Sequence, residues 1–276
     1  MKRLPSIFLS HGAPSYALDP GLAGQQLITL GQQLPTPKAI LVVSPHWMTS
    51  QPKVATSIQP ETIHDFGGFA PALYQLQYPA PGHPQLAMRA IELLRAAGWQ
   101  ADSDNSRGLD HGAWVPLRFL FPAVDVPVFQ VSLPGNLSSS TALNYGAALA
   151  PLADEGVLII GSGSLTHNLY EVRGGHEHEA AYAQEFTAWI RHAVELGDRQ
   201  ALVNALELAP HAKRAHPTTE HFLPLLVALG AAASSLPATV LPGGITHGVL
   251  SMESYVFGQS ITLSVAASED KKALAI

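Results

Sequence analysis

The sequence predicts a single α/β domain: a central mostly parallel or mixed sheet flanked by helices, with a site at the carboxyl edge of the strands. Two observations point to the sheet. Apolar, β-branched runs such as Ala39-Ile40-Leu41-Val42-Val43 and Val157-Leu158-Ile159-Ile160 are near-continuous rather than alternating, as in strands covered on both faces. Segments of helical periodicity separate these runs. A third observation places the site, because three such strands each deliver a histidine. Ser6-Ile7-Phe8-Leu9-Ser10 leads to His11, the central run to His46 through Ser44-Pro45, and the third through Ser162-Gly163-Ser164-Leu165-Thr166 to His167. In open α/β sheets ligands bind at that edge, so the three histidines together mark a metal or acid-base site.

Composition narrows the chemistry. The 276 residues are 47% hydrophobic, enough for one substantial core, and no repeat or linker divides them. Residues 1–262 are expected to form the domain, and 263–276 the end of an edge strand and a polar tail. Charged residues make up only 13%, the net charge is −6, and no basic patch is present. The expected ligand is a small molecule, with no nucleic-acid or membrane partner, for a chain that is a monomer or homodimer. Met1-Lys2-Arg3-Leu4-Pro5 runs directly into a strand without a signal-peptide core, so a cytoplasmic location is expected. There is no cysteine, which leaves imidazole and carboxylate as strong metal ligands, and there are 13 histidines.

In chain order, Asp19-Pro20 reads as an N-cap with proline at the first helical position of a helix running to about Leu34. Pro35-Thr36-Pro37 breaks it and leads into the central strand, which is expected to end at Pro45-His46-Trp47. A strand at Lys53–Ile58 precedes a Gly- and Pro-rich loop in which His64 and Asp65 are candidates to line a pocket. Pro84 to Gly98 has helical spacing in Ala87, Ile91 and Leu94. Gly108-Leu109-Asp110-His111-Gly112 reads as a loop in which Asp110 is placed to orient His111. A strand at Val126–Ser132, a helix at Ala142–Leu152 and the Val157–Gly161 strand follow. A longer helix spans Glu177–Leu196, with His176, His178 and His192 on its polar surroundings, and a short one Gln200–Glu207. Thr218 or Thr219 is expected to cap a helix beginning near Glu220. His221 would then lie in its first turn, with His216 and Glu220 as rival ligands. Strands at Pro237–Leu241 and Ile261–Val265 close the chain.

These residues also form an ordered set of motifs. Ser10-His11-Gly12-Ala13-Pro14, Ser44-Pro45-His46-Trp47, Thr62-Ile63-His64-Asp65-Phe66-Gly67-Gly68-Phe69, Tyr78-Pro79-Ala80-Pro81-Gly82, Leu109-Asp110-His111-Gly112, Gly163-Ser164-Leu165-Thr166-His167-Asn168-Leu169 and Pro217-Thr218-Thr219-Glu220-His221-Phe222-Leu223-Pro224-Leu225 occur in turn. Across nearly the whole chain this series resembles the class III extradiol ring-cleavage dioxygenase family, in the branch that contains 4,5-DOPA dioxygenase. The resemblance implies that His11, His46 and His221 bind a metal and that His111 and His167 are the acid-base histidines. His167 is also a candidate fourth ligand. The better-studied branch places a glutamate at the third ligand position, where this chain offers His221 with Glu220 beside it.

What the resemblance implies chemically is opening of a catechol ring with O2 at a histidine-bound non-haem metal. Fe(II) serves ring cleavage, and Zn(II) is plausible as the bound metal in a four-histidine site. A carboxylate-bearing catechol would want a cationic anchor, for which Arg107, Arg173 and Arg214 are the candidates. The competing readings are a zinc-dependent hydrolase, in which the metal activates water, and a non-catalytic metal-binding protein of the same fold.

Overall fold

A computed structural model describes residues 3–172, 178–232 and 238–261. The chain opens with strand β1 (Ser6–Ser10), helix α1 (Gly21–Gln33), the long strand β2 (Ala39–Thr49) and the short β3 (Lys53–Ala55). Helix α2 (Pro84–Ala96), β4 (Asp102–Asp104), α3 (His111–Leu120), β5 (Val128–Pro134), α4 (Ser139–Leu149) and β6 (Val157–Gly163) follow. The second half is largely helical, with α5 (Ala181–Glu195), the short α6 (Arg199–Val203), α7 (Ala205–Leu208) and α8 (Ala212–Ala215), then α9 (Leu223–Ala231). It ends in β7 (Thr239–Leu241), the hairpin of β8 (Ile245–Thr246) and β9 (Leu250–Ser251), and β10 (Ser254–Phe257).

Eight strands form one mixed sheet in the order β4-β3-β5-β2-β6-β1-β10-β7. The inner four, β5, β2, β6 and β1, are mutually parallel, whereas β10 joins β1 antiparallel. The period of two along each strand divides the core between the two faces. Ala39, Leu41 and Val43 of β2 point into one cluster with Phe8, Ile159, Phe186 and Leu226, beneath α2, α4, α5 and α9. Ile40 and Val42 point into the other with Ile7, Ile160, Leu27 and Leu117, beneath α1 and α3. All these side chains are essentially inaccessible to water, which is why the runs read as continuous rather than alternating.

Several boundaries differ from the expectations. Helix α1 begins at Gly21 with Pro20 at the N-cap, and Asp19 supplies no cap. The central strand does not end at Pro45-His46-Trp47 but continues to Thr49. Its register against β5 shifts between Ser44 and Met48, so Pro45, which has no N–H for a ladder, His46 and Trp47 form an irregularity inside the strand. The Lys53–Ile58 strand ends at Ala55. The Asp110-His111 segment opens a helix rather than a loop. α9 starts at Leu223, not near Glu220, so His221 lies in the turn before it. Of the closing segments, Ile261 is not in a strand, and 262–276, like Arg173, His176, Glu177 and Pro237, lie outside the described residues.

Two close approaches set where α9 sits. A Cβ at Gly161 or Gly163 of β6 would collide with the carbonyl oxygens of Pro224 and His221, so the turn carrying His221 lies directly on the sheet. One layer further out, a Cβ at Gly146 of α4 would collide with the Val227 carbonyl, and one at Gly230 with that of Leu143. Helix propensity alone would have Gly146→Ala stabilise α4 by about 1 kcal/mol, but forcing atoms into a packed crossing costs about 1–3 kcal/mol. We expect a net loss of up to about 2 kcal/mol, read as a lower urea midpoint with an unchanged m-value.

Candidate metal centre

At the carboxyl edge of β1, β2 and β6, five histidines come together. His11 follows β1, its N–H continuing the ladder to Gly163 O at 2.9 Å. His46 projects from the irregularity in β2, and its Nε2 lies 3.0 Å from that of His11. His221 stands in the turn held to β6 by Ser164 N donating to His221 O at 3.0 Å. One ligand atom from each of His11, His46 and His221 falls within a 4.8 Å group, as do atoms of His46, Asp65 and His111, and of His167, Glu220 and His221. The ring of His111 is 4.0 Å from that of His46, and His167 stacks on His221 at 3.4 Å and 10° between planes.

Three of the five imidazoles, those of His11, His111 and His221, are oriented through Nδ1. Ser162 Oγ donates to Gly112 O, so it accepts from His11 Nδ1 at 2.9 Å and leaves the His11 Nε2 lone pair facing His46. Pro116 explains why Gly112 O is free. Within α3 the partner of that carbonyl would be the N–H of residue 116, which proline lacks. Asp65 Oδ1 accepts from both His111 N (2.9 Å) and His111 Nδ1 (3.0 Å), capping α3 and fixing the ring in one stroke. Glu220 Oε1 accepts from His221 Nδ1 at 3.0 Å, leaving His221 Nε2 buried with no hydrogen-bond partner among the described residues.

Burial is the main cause that pushes the His11, His46, His167 and His221 imidazoles below their ordinary pKa, and neighbouring histidines push His11 further. At neutral pH they are therefore unprotonated and ready to bind a cation. Burial raises the Asp65 carboxyl, but hydrogen bonds from His111 outweigh it and bring the pKa down to about 2. A lone pair at His11 Nε2 facing His46 Nε2 at 3.0 Å, beside the orphaned Nε2 of His221, fits a cation held by these three nitrogens.

The structure sorts the remaining candidates. Asp110, expected to orient His111, turns away from it and bonds Arg107 Nη2 at 2.8 Å and Gln130 Nε2 at 2.9 Å. Asp65 takes the orienting role instead. His64 donates to Leu76 O and packs among Phe66, Tyr74 and Trp114. His216 is buried against Phe186 and Phe222, with its Nε2 donating to Leu165 O. Neither is part of the cluster. His178 and His192 are exposed, as expected. Arg107 lies over Trp47 and bonds His46 O, and Arg214 is committed to Glu171. Neither lines the cavity.

The five histidines floor a cavity of about 280 Å³. Its walls are apolar, with Phe66, Phe69, Leu169, Val172 and Leu250, and Phe69, Leu169 and Val172 are exposed at its mouth. Among its described lining residues there is no lysine or arginine. Such a cavity suits a flat aromatic ring placed edge-on to a metal. Sequence reasoning missed Ser162 and His247, the latter a sixth lining histidine. The serine's only signal was its place one residue short of the Gly163-Ser164 motif.

The geometry agrees with the sequence comparisons. Residues 22–270 match the catalytic LigB subunit of aromatic ring-opening dioxygenase, and the chain belongs to that family. It is an extradiol dioxygenase, an oxidoreductase of the ring-opening type. It is 41% identical over 256 residues to a 4,5-DOPA dioxygenase extradiol of Beta vulgaris (91% of this chain, 96% of that one). To one of Escherichia coli K12 it is 38% identical over 260 residues (93% and 95%). A crystal structure of an uncharacterized protein from Escherichia coli K12 superimposes with TM-score 0.77 at 34% identity, covering 93% of this chain and 100% of that one.

Removing the serine hydroxyl tests the orientation of the first ligand. In the metal-free wild type, long-range proton–nitrogen spectra should show His11 as the Nδ1–H tautomer. In Ser162→Ala that preference should disappear, while the His111 signals, held by Asp65, stay in place.

Proposed function

We propose that the chain opens the ring of a catechol such as 4,5-DOPA with O2, using Fe(II) held by His11, His46 and His221, in the cytoplasm. The observation that carries this reading is the convergence of three neutral imidazoles, one with an unpartnered buried Nε2, on the floor of an apolar, ring-sized cavity. Iron bound there would supply open positions for both catechol oxygens and for dioxygen. The relatives named as 4,5-DOPA dioxygenases support the substrate class.

The residues around that floor divide the remaining work. The walls formed by Phe66, Phe69 and Leu250 hold the ring and exclude water. His167, unprotonated because of burial, accepts the proton that a catechol hydroxyl loses on binding. Its stacking on His221 supports this role over that of fourth ligand: parallel planes 3.4 Å apart aim their in-plane lone pairs side by side rather than at one point. His111, which lines the cavity with its Nδ1 donating to Asp65, takes up a proton at Nε2 from the substrate, with Asp65 steadying the imidazolium, and gives it back to a substrate oxygen as the ring opens. No helix among the described residues is long and apolar enough to cross a membrane.

Anaerobic loading with Fe(II), followed by a catechol and O2, should give stoichiometric oxygen uptake and a yellow ring-fission product. Activity with zinc and no oxygen requirement would replace this reading with a hydrolase. His46→Ala and His221→Ala should each lose the metal by elemental analysis yet remain folded by circular dichroism, since both side chains stand outside the two core clusters. His111→Gln should keep the metal while turnover falls about 10²–10⁴-fold, the range for a lost general acid or base.

A further inference from the structure

A second cavity of about 430 Å³ adjoins the metal cavity, and Ala13 and His247 line both. Its wall differs in character. It carries Ser15, Thr246, Asp19 and Tyr16, whose buried hydroxyl has no hydrogen-bond partner among the described residues. Burial pushes the Tyr16 pKa up, so the group is a hydrogen-bond donor at any physiological pH.

His247 sits between the two cavities in a conformation the chain does not give away freely. It occupies the turn joining β8 to β9 at φ +52°, followed by Gly248 at φ +75°, with Val249 N donating to Thr246 O at 3.2 Å. Two successive left-handed residues make a type I′ turn, for which Asn-Gly or Gly-Gly is the favoured pair. A histidine in the first position is strained, and the surroundings hold it there. Ala180 N donates to Gly248 O at 2.8 Å, while Thr166 Oγ1 donates to Val249 O and accepts from Ser251 N at 2.7 Å. Strain maintained by so many anchors accompanies function more often than accident.

On the reading that the metal cavity takes a catechol, we propose that the second cavity is the subsite for the catechol's substituent, and that the substituent is an α-amino carboxylate. His247, at the shared wall, with Ser15 and Tyr16, offers hydrogen-bond donors to the carboxylate. Asp19, the acidic group among the described residues lining it, takes the ammonium. This supplies recognition of a zwitterion without a lysine or arginine, neither of which lines either cavity among the described residues. Of the three cationic anchors expected from sequence, Arg107 and Arg214 are bonded to Asp110 and Glu171, and Arg173 lies outside the described residues.

Replacing His247 by glycine separates the subsite from the fold, because glycine adopts φ +52° at no steric cost and relieves the turn. Dissociation constants of 3,4-dihydroxyphenylalanine and 4-methylcatechol are measured anaerobically by calorimetry on the metal-loaded full chain, wild type and His247→Gly. Wild type should bind the amino acid about 10-fold or more tightly than 4-methylcatechol, the scale of a hydrogen bond to a charged group. His247→Gly should bring that ratio close to one, mostly by weakening the amino acid. A ratio preserved in the variant, equal weakening of both ligands, or no wild-type preference would overturn the subsite. Oxygen uptake by the iron-loaded wild type with 4-methylcatechol tests the ring-opening reading separately, so the two can fail independently.

Discussion

The hydroxyl of Ser162 is the contact on which the metal centre depends. It has one proton and donates it to Gly112 O, so toward His11 it can act only as an acceptor, and that fixes which nitrogen of His11 faces the site. The same contact ties the end of β6 to the first turn of α3 and to the residue after β1, three segments distant in sequence. It exists because Pro116 removes the competing helical N–H. An interior proline is costly in a helix, about 3 kcal/mol by propensity. Here its missing donor frees a carbonyl that the site uses, and Asp65 caps the same helix from outside.

The outer partners also explain how a third histidine can stand where a carboxylate serves in the better-studied branch. Glu220 lies directly behind His221. It is set back by one imidazole, with its pKa held down by the His221 hydrogen bond despite partial burial. Asp65 plays the matching part on the other side, 3.7 Å from His46 Nδ1 and bonded to His111. On the proposed ligand set, three neutral imidazoles contact the cation and two carboxylates balance its charge from behind. That arrangement keeps the ligand atoms uncharged in a buried place, where unpaired charge is expensive.

Much of this was legible in the sequence, for physical reasons that also mark where legibility stops. The continuous runs of β1, β2 and β6 announced a doubly covered parallel sheet, and the runs leading into His11 and His46 announced those two residues, although β2 continues past His46 to Thr49. α3 was hidden because Gly112, Val115 and Pro116 are poor helix residues, and its start is satisfied by Asp65 from 46 positions away. Asp110 looked like the partner of His111 because adjacency is visible in a sequence and tertiary hydrogen bonds are not. The true boundary of α9 depends on glycines in β6 that admit the His221 turn onto the sheet, a constraint between two segments that periodicity within either cannot report.

The division of labour between the two ends of the chain follows from the sheet itself. Parallel strands β1, β2 and β6 bring their carboxyl ends to one edge by topology, and this places His11 and His46 without any loop having to fold correctly. Recognition of what lies beyond the ring needs side chains that approach from the open side of that edge. The chain supplies them after β7 turns it back, through the β8–β9 hairpin that carries His247 and β10, which joins β1 antiparallel. Because Ser10 N donates to Ser254 Oγ and Ser10 Oγ to Glu253 O, that returning segment is bonded to the residue immediately before His11. The buried Glu253, bridged to Arg191 and accepting from Tyr255 OH at 2.8 Å, anchors it to α5. The wall that faces the substituent is thereby held in register with the first metal-facing histidine, although more than two hundred residues separate them in sequence.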